Sequence, residues 1–112
     1  MTQPTDQPAT HQPLDSLINE AFGARQVLPR RERCEELNQL LRAAIGDLIP
    51  AIQEQARQLP EYSRDWYRLT GIVEDTRDVL RGGLGHGLLS AAIHLSALAR
   101  QARSLAGCLP DG

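Results

Sequence analysis

The stretch that most limits what this chain can become is Leu88 to Leu109, LLSAAIHLSALARQARSLAGCL. Turned at about 100° per residue, it puts Leu88, Ala91, Leu95, Leu98, Ala102, Leu105, Ala106 and Leu109 on one flank, the repeat of an amphipathic helix that must be buried. On the opposite flank, Leu89, Ile93 and Ala97 form a second apolar patch over the first turns, before Arg100, Arg103 and Ser104 take that side over. The first half of the helix therefore wants neighbours on two sides. No acidic residue lies between Leu84 and Pro110, and Ala91, Ala92, Ala99, Ala102 and Ala106 present so little bulk that another helix can approach closely. This is the pattern of the central helix of a bundle.

At 112 residues, with 41% hydrophobic and 4% aromatic side chains, the chain has material for one modest core of Leu, Ile, Val and Ala, which suits an all-α fold. A net charge of −2 gives no general attraction for nucleic acid or an anionic membrane. Every basic residue is Arg, which reads as the codon bias of a GC-rich genome rather than selection for anion recognition. No apolar run approaches the ~20 residues of a membrane span, and the opening MTQPTDQPATHQP lacks the basic and apolar regions of a signal peptide, so a cytoplasmic protein is expected. Cys34 and Cys108 begin one long helix and end a parallel one, on the order of 30 Å apart, so reduced thiols are expected.

Residues 1–13, made largely of Thr, Gln and Pro, predict a disordered tail ahead of a single helical domain over 14–112. Leu14, Leu17, Ile18, Ala21 and Phe22 predict a short helix over 14–22, marginal alone, for which the Leu89/Ile93 patch is the candidate surface on its own chain or a neighbour's. A long helix follows over 31–59, with Leu37, Leu41, Ala44, Ile45, Leu48, Ile52 and Leu59 on one face and a kink predicted near Gly46 to Pro50. Ser63 caps a third helix over 64–81, with Trp66, Leu69, Ile72 and Val73 inward and Asp65/Arg68, Glu74/Arg77 and Asp78/Arg81 on the wet face. GGLGHG, Gly82 to Gly87, reads as a flexible connection to the helix over 88–108. The sum is an antiparallel bundle of three long helices plus a short N-terminal one.

With these landmarks placed, several strings become comparable with known sequences. They are IGDLIPAI from Ile45 to Ile52, the Leu59-Pro60 stop, the Trp66-Tyr67-Arg68 triplet, and GLGHGLLSAAIHLSALARQAR from Gly83 to Arg103. Over roughly residues 37–106 the chain resembles a small actinobacterial helical family of unknown function, often labelled a natural-product biosynthesis protein. The resemblance implies a cytosolic actinobacterial origin and a helical bundle, and it brings no catalytic residues.

Few side chains point to chemistry. The glycine-rich loop follows a helix, lacks the Walker lysine and belongs to no βαβ unit, so it reads as a connection rather than a phosphate cradle. His94 lies at the edge of the buried face, where a titrating base would need a carboxylate or nucleophile nearby, and reads as a structural, hydrogen-bonded histidine. The three histidines and two cysteines show no metal-ligand spacing, so no metal and no cofactor are expected. Asp15-Ser16-Leu17 resembles a carrier-protein attachment site but lacks the preceding helix, and Glu32, Glu35 and Glu36 dilute the Arg30, Arg31 and Arg33 cluster.

The leading expectation is a non-enzymatic interaction module that self-associates, giving a homodimer, or docks a protein partner through Leu14, Leu17, Ile18, Phe22, Leu89, Ile93 and Ala97. The alternative is a small accessory enzyme or ligand-binding protein with a pocket between helices near His94 and Trp66. Binding to DNA comes third, since no short recognition-helix pair is visible.

Overall fold

The computed structural model describes residues 12–109, which form four helices: α1 (Leu14–Gly23), α2 (Arg31–Arg57), α3 (Arg64–Leu80) and α4 (Leu88–Gly107). The fold is all-α, and each boundary falls within two residues of the one read from the sequence, as expected where helix ends fray. Pro13 leads into α1, Gly23 ends it, and the Ser63 hydroxyl accepts from the Trp66 N–H at 3.2 Å to cap α3. The long α2 passes Pro50 without a break. Proline leaves the Gly46 carbonyl without its N–H, but Gly46 and Pro50 both face solvent, where water satisfies that oxygen.

Packing follows the stripes. Cys34, Leu37, Leu41, Ile45, Ile52 and Ala56 of α2 meet Leu69 and Val73 of α3 and Ala91, Leu95, Leu98, Ala102 and Leu105 of α4 in one core. Each fully buried Leu or Ile there contributes about 1.5–3 kcal/mol of transfer free energy. Side-chain bridges show the relative sense of the long helices. Arg42 meets His94 and the Gln55 amide donates to the Cys108 carbonyl, so α2 and α4 ascend together. Thr76 donates to Gln101 and Arg68 reaches Cys108, so α3 meets α4 in the opposite order. Both cysteines are free, Cys34 buried at the start of α2 and Cys108 just past the end of α4.

The helix α4 has its second flank too, but a different one from that expected. Ala92, Ser96 and Ala99 are buried, and Arg103, four residues beyond Ala99, lays its guanidinium 4.9 Å from the centre of the Phe22 ring. Helix α1 buries Leu17, Ile18 and Ala21, with Leu14 and Phe22 packed at the edge of the core, while Leu89 remains 57% and Ile93 48% exposed. The expectation that α1 covers the Leu89/Ile93 patch is thus corrected. Small residues let one backbone approach another, so the alanine face outcompetes the bulkier leucine and isoleucine face for a short helix.

An ion pair fastens α1 to α2. Arg33 grips both carboxylate oxygens of Glu20 at 2.6 Å and donates to Gln12 at 2.7 Å, while Gln12 donates to Glu20 and Ser16. The Arg33 guanidinium holds Glu20 below the ordinary carboxylate range against the opposing effect of burial. Gln12 and Pro13 therefore belong to the domain rather than to the tail read from the sequence over 1–13; its other residues, 1–11, lie outside the described residues.

Candidate functional site

Two places on the surface combine unusual exposure with specific geometry, and both arise from how helix ends are joined. The first is the end of the molecule where α3 turns into α4. Arg42 reaches out of α2 and donates to the Leu80 carbonyl at 3.0 Å and the Gly82 carbonyl at 2.6 Å, oxygens that the end of α3 leaves without partners. The same guanidinium lies 3.2 Å from His94 Nε2, and Asn38 braces it from within α2. Arg31 donates to the Gly85 carbonyl and Ser90 to the Leu84 carbonyl, while the Leu84 side chain is buried. Gly85 has φ +76°, and a Cβ there would lie 2.4 Å from Ser90 Oγ, so only glycine fits. The connection read as flexible is pinned by three side chains from two helices.

The His94 ring is structural and hydrogen-bonded, as its position on the wheel suggests. Accepting from Arg42 at Nε2 places the proton of the neutral ring on Nδ1. Burial first, and the Arg42 charge second, push its pKa below the ordinary 6.5. The unfolded chain therefore takes up a proton at higher pH than the folded one. Stability present above about pH 6.5 is lost as pH falls through the lower folded value. Urea unfolding at about pH 7.5 and about pH 5 is expected to show that loss in the wild type and a smaller one in His94→Gln. Equal losses in both would place the linkage elsewhere; Glu20 acts only in a separate window below 4.5.

Around this junction the chain leaves apolar side chains in water. Leu88, Leu89 and Ile93 are exposed at the start of α4. Val27, 78% exposed, and Leu28 lie in the segment leading into Arg31, which the Arg31–Gly85 hydrogen bond ties to the same end. Ala97 is half-buried at the edge of this surface, whereas Leu14, Leu17, Ile18 and Phe22 are committed to the core. The residues read as one interface are thus divided between the interior and the surface.

The second place is a groove of about 290 Å³ between the second half of α2 and α3, floored by Ile52, Ala56, Leu69 and Val73 and closed at one end by Trp66. The groove holds Trp66 but not His94. His94 contacts Arg42 beside the end of α3, and Trp66 stands near its start, about 20 Å away at 1.5 Å per residue. The expected single pocket at His94 and Trp66 is therefore corrected: the two residues cannot share a cavity because α3 separates them along its length. Beside Trp66 lie Tyr62, 65% exposed, and Tyr67, with ring centres 5.1 to 6.2 Å apart. Tyr62 has φ 68°, a left-handed conformation that is a true outlier for a bulky side chain.

Sequence reasoning passed over Val27 and Leu28, between the first two helices, and the anchoring roles of Arg42 and Arg31, whose partners are backbone carbonyls far along the chain. It also missed Thr76, fully buried in α3, whose single hydroxyl proton is shared between the Ile72 carbonyl at 2.7 Å and the Gln101 side chain at 3.0 Å. Among the described residues no group of three or more His, Cys, Asp or Glu is placed to hold a metal ion, and no helix is long and apolar enough to cross a membrane.

No curated protein and no solved structure matches the chain. A family model, described as a family of unknown function, matches residues 13–111, the whole four-helix unit. The chain therefore belongs to the family of unknown function DUF6415, and its helical domain is that family's unit.

Proposed function

We propose that the protein is a non-enzymatic helical interaction module, acting by self-association or by docking a protein partner at the end where α3 turns into α4. The observation that carries this reading is the exposure of Leu88, Leu89 and Ile93 within the first two turns of α4, with Val27 and Leu28 also exposed in the connection that leads into Arg31. Single exposed apolar residues are ordinary, but three within two turns of one helix support a contact surface there. The surface is small beside the ~800 Å² per partner of a standard interface, so a homodimer formed through it is weak and reversible. The resemblance at Ile45 to Ile52 and Gly83 to Arg103 supports a cytoplasmic accessory role in an actinobacterium, in natural-product biosynthesis. The alternative of a small accessory enzyme or ligand-binding protein at His94 and Trp66 has no shared cavity behind it, and Arg42 already occupies the accepting nitrogen of His94.

Sedimentation velocity over a range of concentrations tests self-association. The wild type is expected to dimerise as concentration rises. Leu89→Glu combined with Ile93→Glu stays monomeric, while each exposed substitution shifts unfolding by no more than about 0.5 kcal/mol. A wild type that remains monomeric throughout removes the homodimer.

A further inference from the structure

Arg42 Nη2 serves two acceptors at once, the Gly82 carbonyl at 2.6 Å and His94 Nε2 at 3.2 Å, while Nη1 holds the Leu80 carbonyl at 3.0 Å. The end of α3 and a ring on α4 are therefore joined through one guanidinium from α2. The contact with His94 needs a lone pair on Nε2, which the neutral imidazole has and the imidazolium lacks. A proton on His94 turns that acceptor into a second cation with its N–H aimed at the first.

The surroundings do not absorb the new charge. On the α2 side the ring meets Arg42, which the neutral Asn38 braces, while Arg31, paired with Glu35, reaches the connection only at Gly85. At the end of α3, Asp78 and Arg81 pair with each other in solvent. His86 in the connection is exposed, and from Ser90 to Leu98 no other side chain of α4 is ionisable. Helix α1 packs on the alanine flank of α4, on the far side from the ring. Among the described residues, Arg42 is the charge that acts on His94.

The ring has little room to turn aside. It stands beside Gly82, where a Cβ would already be in contact, 3.5 Å from His94 Cε1. Whether Arg42 withdraws or the ring turns, the disturbance falls on the end of α3, where the Leu80 and Gly82 carbonyls lose their donor. The Arg81 and Gly82 N–H groups close that last turn, donating back to the Asp78 and Val79 carbonyls at 3.2 and 3.1 Å. The Arg31–Gly85 and Ser90–Leu84 hydrogen bonds lie further along and involve no group that titrates near neutral pH, so they confine the release to the residues before Leu84.

We propose that His94 is a proton-operated latch: when its ring takes up a proton, Arg42 lets go of the Leu80 and Gly82 carbonyls and the last turn of α3 opens while the four helices stay packed. The core that runs through Leu41, Leu95 and Leu105 does not depend on Arg42, so the opening is local and requires less free energy than unfolding. The freed turn leads into the connection before Leu88 and Leu89, which places the latch beside the exposed start of α4. The latch stands on the Arg42–His94 contact and holds whether or not that surface docks a partner.

Amide exchange of the isotope-labelled full chain tests this, followed residue by residue by NMR while the His94 ring resonance reports its own titration. As the ring protonates, protection at Arg81 and Gly82, corrected for the intrinsic pH dependence of exchange, is expected to fall by about tenfold or more, the effect of losing one hydrogen bond from a charged donor. Both amides exchange faster than that of Leu95 throughout. His94→Gln keeps an oxygen that accepts from Arg42 but does not titrate, and its protection at Arg81 and Gly82 stays constant over the same range. His86→Gln behaves as the wild type. Three outcomes overturn the proposal: a ring that titrates with no loss at Arg81 and Gly82, the same loss in His94→Gln, or exchange of Arg81 and Gly82 at the rate of Leu95. The last would mean that the turn opens only when the whole domain unfolds, a comparison made within the wild type that needs no variant to fold.

Discussion

Leu95→Ala is expected to remove about 2–5 kcal/mol of folding stability, read as a lower urea midpoint at unchanged slope. Leu95 is fully buried in the seam that runs through Ala91, Leu98, Ala102 and Leu105 of α4, the helix on which α1, α2 and α3 all pack. Truncation deletes its transfer free energy and leaves a cavity that four helices held in place by one another close poorly. Small domains have only about 5–15 kcal/mol to lose, so the variant sits near the edge of folding. Ile93→Ala, two residues away on the same helix but half in water, is the control and is expected to cost far less. Equal losses at the two positions would mean that the exposed flank of α4 is covered by something.

Arg42→Ala is the second large effect, a loss of about 2–3 kcal/mol. Four acceptors converge on this guanidinium: Asn38 Oδ1, the carbonyls of Leu80 and Gly82, and His94 Nε2. Hydrogen bonds from a charged donor are worth about 1.5–3 kcal/mol each when buried, but the site is partly open and water replaces part of what is lost. Arg42→Lys is not a rescue, because one ammonium cannot span two carbonyls and an imidazole as a planar fork does. The pH signature separates this account from simple loss of packing. Removing the Arg42 charge relieves the lesser cause of the lowered His94 pKa and leaves burial in force, so the pH-dependent part of stability shrinks without vanishing. Urea midpoints of Arg42→Ala at about pH 7.5 and about pH 5, unchanged in their difference from wild type, would disconnect the two residues.

How much of this was legible in the sequence follows from the range of each interaction. The apolar stripes of α2, α3 and α4 are properties of spacing along a single helix, and Leu37, Leu41, Ile45, Leu69, Val73 and Leu95 are buried as their periodicity requires. The Ser63 cap and the outward Glu74/Arg77 and Asp78/Arg81 pairs are equally local. The arginine anchors were not legible, because Arg42 and Gly82 are neighbours only after three helices are packed, and any arginine on a helix edge looks the same until then. Tyr62 gave no warning either, since its strain is a property of the turn that joins α2 to α3.

The chain by itself determined four helices, their approximate ends and which face of each is apolar, because those depend on side-chain period and on proline, glycine and serine at the ends. Only the tertiary structure decided which of the two flanks of α4 receives α1. Spacing marks both Leu89/Ile93 and Ala92/Ala99 as apolar, but the distance at which two backbones can pack depends on the bulk between them. That choice left Leu89 and Ile93 in water and committed the apolar face of α1 to the core.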